Sequence, residues 1–225
     1  MKTWMRFTII VVAANVAMAT SSFAALLDVG LTYPKAAFDS VAANAVNYTY
    51  TGPTGLFSIS VTPTAVLFAN GEPLRMISGT KNLQIQILVD NTGALVGGVA
   101  GDDLTLAGAV TEGANTYTGV LLTGEVTGFG FLESGQTDLY DLRFRPTGGA
   151  LAGLFPGDIA VQVTSEFSTF NNDFTVNFGG QAKGTLGSET TSVPEPGIYG
   201  ACTGALMLLP LGVSMLRTLR KRQAA

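Results

Sequence analysis

Leu83-Gln84-Ile85-Gln86-Ile87 is the stretch that decides the fold, because apolar and polar residues alternate in it without exception. Successive side chains of a β-strand point to opposite faces, so this pattern predicts a strand with one buried and one solvent-facing side. The same alternation recurs at 57–61, 140–145, 161–163 and 174–178. A less regular pair of strands is predicted between 116 and 131. The chain is therefore expected to be rich in short strands.

Glycine and proline separate these strands and predict turns between them. The clusters lie at 51–55, 97–98, 134–135, 147–149 and 156–157. No long stretch of helical period precedes the C-terminal tail. The fold class expected is all-β, a single antiparallel β-sandwich of jelly-roll type. A β-solenoid is the alternative fold, but it requires a repeat of fixed length, and the sequence has none.

The N-terminus has the pattern of a secretory signal peptide, assigned to residues 1–24. Lys2 and Arg6 form a positive region, and a mostly apolar run follows at 7–16. Small residues then allow signal peptidase to cut after Ala19 or after Ala24. The exported β domain is assigned to 25–183, and the Gly-, Ser- and Thr-rich residues 184–192 are expected to form a flexible stalk.

The C-terminal tail, 193–225, has three parts. It begins with Val193-Pro194-Glu195-Pro196-Gly197, continues with 19 uncharged residues at 198–216, and ends in a basic cluster of Arg217, Arg220, Lys221 and Arg222. As a helix the uncharged part would be about 28 Å long, close to the thickness of a bilayer, so one C-terminal transmembrane helix is expected. Basic residues flank membrane helices on the cytoplasmic side, which predicts a cytoplasmic C-terminus.

This tail resembles the PEP-CTERM sorting signal of Gram-negative bacteria. The resemblance covers 192–225 only. It implies that Pro194, Glu195 and Pro196 form a strip recognised by the membrane protease exosortase, that the basic cluster is the stop signal, and that the chain is cut near the strip. The two prolines hold this strip extended, which suits a protease active site.

The composition of the exported part excludes several classes of function. Residues 25–192 contain 15 Asp and Glu against six Lys and Arg, a net charge of −9, so nucleic-acid binding is not expected. The chain has no histidine, which removes Ser-His-Asp and Cys-His catalytic arrangements. Its single cysteine, Cys202, lies in the tail, so the domain has no disulfide. No cofactor and no metal are predicted.

Three sets of residues could still form a site. Asp102-Asp103 and Asn171-Asn172-Asp173 offer oxygen ligands for Ca²⁺, but solvated turns are favoured because no calcium-binding spacing is present. The carboxylates that could act as a glycosidase pair are Glu125, Glu133, Asp138 and Asp141, although Asp141 and Arg143 fit a simple exposed ion pair as well. Tyr48, Tyr50 and Tyr117 could stack on sugars, with packing in the core as the favoured role.

The function expected from these observations is that of an exported, non-enzymatic protein of the cell envelope or extracellular matrix. Its predicted partners are signal peptidase, exosortase and the inner membrane, where the tail holds it before transfer to the cell surface or matrix. A module that binds exopolysaccharide is the first alternative. A glycoside hydrolase or lyase is the second, and it requires two carboxylates that face each other across a cleft.

Overall fold

The computed structural model describes residues 25–190. The predicted signal peptide with Ala19 and Ala24, and the predicted sorting tail with its motif and basic cluster, lie outside the described residues. Within them the chain forms twelve antiparallel strands and one short 3₁₀ helix, Ala152–Leu154. The strands are β1 (Gly30–Ser40), β2 (Val46–Tyr50), β3 (Thr54–Leu67), β4 (Arg75–Met76), β5 (Ser78–Asp90), β6 (Leu95–Gly98), β7 (Leu104–Glu112), β8 (Asn115–Leu132), β9 (Thr137–Gly148), β10 (Ile159–Glu166), β11 (Phe178–Gly180) and β12 (Ala182–Thr190).

Eight of these strands close into an antiparallel barrel. Their order around the barrel is β1, β3, β5, β7, β8, β9, β10, β12 and back to β1. The remaining four strands, β2, β4, β6 and β11, extend its edges. Closure depends on β3, whose first half pairs with β5 (Thr54 opposite Asp90) and whose second half pairs with β1 (Leu67 opposite Lys35).

The all-β prediction is confirmed, but the predicted β-sandwich is wrong. All the strands described at 25–190 belong to one sheet that closes on itself through the β3–β5 pairing, so no second sheet packs against it there. Long strands make closure possible, and irregular register in β7–β8 and β8–β9 lets them bend, since bulges increase local twist. The alternating pattern could not distinguish the two folds because both bury the same face of each strand.

The predicted transmembrane helix also finds no support. No helix formed within residues 25–190 has the length and apolar character needed to cross a membrane. The residues on which that prediction rested, 198–216, lie outside the described part of the chain.

The barrel interior is filled by alternate residues of the strands, as the sequence pattern predicts. Phe57, Ile85 and Val161 are fully buried at three of the alternating stretches. Several aromatic rings pack together in the core: the ring of Phe57 lies 5.1 Å from that of Phe129 and 5.0 Å from that of Tyr140.

Three local predictions are wrong. Residues 184–190 are not a stalk, because they form most of β12, which pairs with β1 on one side and β10 on the other. The strand pair expected at 116–131 is a single strand, β8. In the predicted strand 174–178, only Phe178 belongs to a strand, and the residues before it form a turn. The Asp173 carboxylate closes this turn by accepting hydrogen bonds from the Thr175 N–H (2.8 Å) and hydroxyl (2.7 Å).

Candidate binding surface

Phe167 is the most unusual residue on the described surface. Its side chain is 69% exposed, and its backbone has a φ of 51°, in the left-handed region that bulky side chains rarely adopt. Such strain costs about 1–3 kcal/mol and is frequent at ligand-binding positions. An exposed aromatic ring held in a strained conformation therefore marks this point as a candidate for binding.

Main-chain hydrogen bonds hold Phe167 in place from both sides. Glu166 exchanges two bonds with Gln181, its N–H donating at 3.3 Å and its carbonyl accepting at 2.9 Å. On the other side, the Ser168 N–H donates to the Gln136 carbonyl at 3.2 Å. Further along the chain, Phe170 is buried in the core. The backbone on each side of Phe167 is thus fixed while its ring remains exposed.

Residues next to Phe167 in the fold are polar. The Glu166 carboxylate pairs with the Lys183 ammonium, and both side chains are partly exposed. We call Phe167, Glu166, Lys183 and Gln136 the Phe167 surface. An exposed apolar ring beside hydrogen-bonding groups can stack on the apolar face of a sugar while its neighbours bind the hydroxyl groups.

The aromatic platform predicted from the sequence does not form. Tyr48 is fully buried, and its hydroxyl donates to the Phe174 carbonyl at 2.9 Å. Tyr50 is half-buried, and Tyr117 is half-buried with its ring 6.3 Å from that of Phe68. No sequence pattern indicated Phe167, since a phenylalanine after a strand usually packs inward.

The four candidate carboxylates are not brought together as a catalytic pair. Asp138 and Asp141 lie on β9 but on opposite faces, inside and outside the barrel. Glu133 lies in the turn before β9, where its carboxylate accepts the Gly135 N–H at 2.8 Å. Glu125 lies on β8, where its pKa is raised by partial desolvation and by the nearby Asp103.

Asp138 is instead part of a buried polar cluster below the Phe167 surface. It is opposite Ser165 on β10, and Tyr140 is the next inward residue on β9; all three are fully buried. One Asp138 oxygen accepts the Ser134 N–H at 2.9 Å. Within residues 25–190, no hydrogen-bond partner is found for the other Asp138 oxygen or for the hydroxyls of Tyr140 and Ser165. Burial raises the pKa of Asp138 and, with the nearby Asp138 charge, that of Tyr140.

Replacing Asp138 with Asn is expected to alter the pH dependence of stability. Because burial raises the pKa of Asp138 above 3.8, the folded protein holds this proton more tightly than the unfolded chain does. Its contribution to stability is therefore present at low pH and is lost as pH rises through the folded-state pKa. Urea unfolding of wild type and Asp138→Asn between about pH 3 and pH 8 measures this. The variant should gain relative stability as pH rises, and a difference that does not change with pH would contradict the assignment.

Asp141 anchors the N-terminal residues 25–29, which we call the N-terminal strap. The Asp141 carboxylate accepts the Asp28 N–H at 3.1 Å, and the Gln162 amide donates to the Val29 carbonyl at 2.9 Å. Gly130 makes room for the strap, since a Cβ there would lie 2.5 Å from the Ala25 carbonyl oxygen. The predicted ion pair between Asp141 and Arg143 is therefore wrong.

Arg143 pairs with Glu189 on β12, its Nε donating at 2.6 Å. This pair raises the pKa of Arg143. A cleft of about 370 Å³ opens beside the strap, between β9, β10 and β12. Asp28, Asp141 and Gln162 line it, and none of its described lining residues is aromatic.

The residues considered for calcium have structural roles. Asp103 is buried, and its two oxygens accept the N–H groups of Val99 (2.7 Å) and Val126 (2.8 Å). Asp102 accepts the Thr147 hydroxyl at 2.6 Å. Asp173 closes the turn described above, and those hydrogen bonds lower its pKa. In the described part of the chain, no three or more His, Cys, Asp or Glu side chains are arranged to hold a metal ion.

Comparison of this chain with protein-family models, curated proteins and solved structures finds no match.

Proposed function

We propose that this is an exported, non-enzymatic protein of the cell envelope or extracellular matrix, sorted by exosortase through Pro194-Glu195-Pro196. The observation that carries the proposal is the order of signals in the tail: a Pro-Glu-Pro strip, an apolar segment and a terminal basic cluster, following an N-terminal signal peptide. The protein is held at the inner membrane by this tail and then cut for surface display or release.

The roles of three acidic side chains in the barrel support the proposal that the protein is structural. Asp103 joins the loop before β7 to β8, and Asp141 fastens the N-terminal strap. Asp138 is directed into the core. Asp103 and Asp141 thus bind backbone N–H groups of the fold, and Asp138 and Asp141 lie on opposite faces of β9, so these two do not face each other as a glycosidase mechanism requires.

Expression in a host with its exosortase, and in the same host without it, tests the proposal. An internal epitope tag allows fractionation, and intact mass spectrometry gives the mass of the product. We expect loss of the tail and transfer outward only when exosortase is present. Replacing Pro194, Glu195 and Pro196 with Ala should prevent both, whereas Ser192→Ala should not. A full-length product at the inner membrane in both hosts would refute the proposal.

Binding of an exopolysaccharide is a second candidate function, and the strained, exposed ring of Phe167 is the observation that favours it. The residues that would contact the sugar are those of the Phe167 surface. Phe167, which the fold exposes, is thus the proposed sugar-stacking residue in place of the tyrosines that the sequence suggested.

Phe167→Asn is expected to weaken polysaccharide binding about tenfold, which corresponds to about 1.4 kcal/mol. Asparagine tolerates the left-handed conformation, so the change removes the ring without adding backbone strain. The control is Val41→Ala, because Val41 is an apolar residue on another loop with 81% exposure. A glycan array followed by calorimetry measures the effect. Equal binding by wild type and Phe167→Asn, or no wild-type binding to any glycan, would exclude this function.

A further inference from the structure

The cleft beside the N-terminal strap has the size and position of a small-ligand site. Its volume of about 370 Å³ is within the range of such sites, roughly 300–1,000 Å³. On the outer face of the barrel, Asp141 of β9 is opposite Gln162 of β10, which in turn is opposite Thr185 of β12. A ligand in the cleft would therefore contact three neighbouring strands and the strap at once.

Two carboxylates line this cleft, and none of its described lining residues is Lys or Arg. Asp141 is only 6% exposed, and Asp28 belongs to the strap. Burial raises the pKa of Asp141, hydrogen bonds from the strap backbone oppose this rise, and the negative charge of Asp28 adds to it. The two acidic side chains are thus close enough to repel each other.

The basic side chains of the surrounding strands are engaged with other partners. Arg143, two residues after Asp141 on β9, binds Glu189. Lys183 on β12 binds Glu166. A ligand that neutralises the cleft must therefore carry its own positive charge.

The backbone of the strap fixes Asp28 at the edge of the cleft. Its φ is 51°, in the left-handed region that Asp adopts more readily than most residues. Its N–H donates to Asp141 at 3.1 Å, and the carbonyl of the next residue, Val29, accepts the Gln162 amide at 2.9 Å. This side of the cleft is thus held in place before a ligand binds, which lowers the entropic cost of binding.

The rest of the lining suits hydroxyl groups and an apolar surface. Gln162 uses its NH₂ group to hold the strap and keeps its amide oxygen as an acceptor, while Thr164 and Thr185 each offer a hydroxyl that can donate and accept. Leu26 and Leu139 add apolar surface. A sugar ring carries hydroxyls at its edge and C–H groups on its faces, so it matches both. An aliphatic amine such as a lysine side chain would leave the polar groups without partners.

We propose that this cleft binds an amino sugar, a hexosamine whose free amino group is positively charged. The ammonium group pairs with Asp28 and Asp141, and the ring hydroxyls bind Gln162 and the two threonines. The cleft is distinct from the Phe167 surface, and binding here requires neither that surface nor sorting by exosortase.

The experiment is a titration of the full-length protein, labelled with ¹⁵N and purified in mild detergent, with glucosamine. The amide resonances of 139–141, 162–164 and 184–185 should shift and reach saturation. N-acetylglucosamine, whose acetylated nitrogen carries no charge, should bind at least about tenfold more weakly, because the charge-assisted hydrogen bonds are lost. Unshifted cleft resonances with glucosamine, or equal affinity for the two sugars, would overturn the proposal.

Asp28→Asn should lower the affinity for glucosamine about fivefold, since it removes one exposed partner of the ammonium group. Asparagine tolerates the left-handed conformation and keeps the N–H that binds Asp141, so the strap stays in place. Glu72→Gln is the control, because it removes one negative charge from an exposed residue before β4, and it should match wild type. Wild-type affinity in Asp28→Asn would contradict the site.

Free lysine, as a third ligand, separates an amino sugar from an aliphatic amine. It should bind more weakly than glucosamine because it lacks the ring hydroxyls. Lysine binding as tight as that of glucosamine would show a site for aliphatic amines and overturn the assignment of the ligand.

Discussion

Replacing Phe57 with Ala is expected to lower the free energy of unfolding by about 3–5 kcal/mol. Phe57 is fully buried and lies on β3, the strand through which the barrel closes, opposite Ile87 of β5. Its ring lies against those of Phe129 and Tyr140, so truncation leaves a cavity among rigid aromatic side chains. A domain is typically stable by only about 5–15 kcal/mol, so this loss is large. Chemical denaturation followed by circular dichroism measures it.

Phe167→Ala is the matched control, because it removes the same ring from an exposed position. Its effect on stability should stay within about 0.5 kcal/mol. A Phe57→Ala protein as stable as Phe167→Ala would contradict the placement of Phe57 at the centre of the barrel.

Asp103→Asn is expected to destabilise the protein by about 2–3 kcal/mol. Both carboxylate oxygens of the buried Asp103 accept backbone N–H groups, from Val99 and Val126. Asparagine keeps the shape but replaces one acceptor with an NH₂ group, which then faces a donor in a buried site. The loop before β7 should loosen from β8. Thermal unfolding measures the change.

The neighbouring Asp102 provides the control for this substitution. It is exposed and accepts one hydrogen bond, from the Thr147 hydroxyl, which Asn can also accept. Asp102→Asn should therefore leave stability nearly unchanged. Similar losses from the two substitutions would show that the buried hydrogen bonds of Asp103 are not what holds the loop.

The alternating stretches were sufficient to predict an all-β fold and the buried face of several strands. They could not predict closure, because the pairings of β3 with β5 and of β1 with β12 change neither the length nor the alternation of these strands. In a sandwich and in a barrel alike, each strand buries one face and exposes the other. Only the pairing partners distinguish them.

The glycines at 184–192 led to the wrong prediction of a stalk. At Gly184 a Cβ would lie 2.2 Å from the Gln162 carbonyl oxygen and 2.6 Å from the ring of Phe38. The residue is glycine because β12 passes close to its neighbours. Composition alone cannot separate this role from flexibility, since both favour a missing side chain.

The candidate binding surface was predicted less well than the fold. Alternation placed Tyr48 and Tyr50 on one face of a strand, but the fold turned that face inward, where Tyr48 packs 4.9 Å from Phe178. Phe167 is recognised as a candidate only from its backbone conformation and from the main-chain hydrogen bonds of the residues on either side of it. Neither property is encoded in a local pattern of residues.

The central claim is that 184–190, which the sequence predicts to be a stalk, belong to the folded barrel, which extends to Thr190. Amide hydrogen exchange at 184–190, read by mass spectrometry on the mature protein, tests it most directly. Protection comparable to that of β10 is expected, because β12 pairs with β10 on one side and β1 on the other. Exchange as fast as in an unfolded peptide would contradict the claim and restore the flexible stalk.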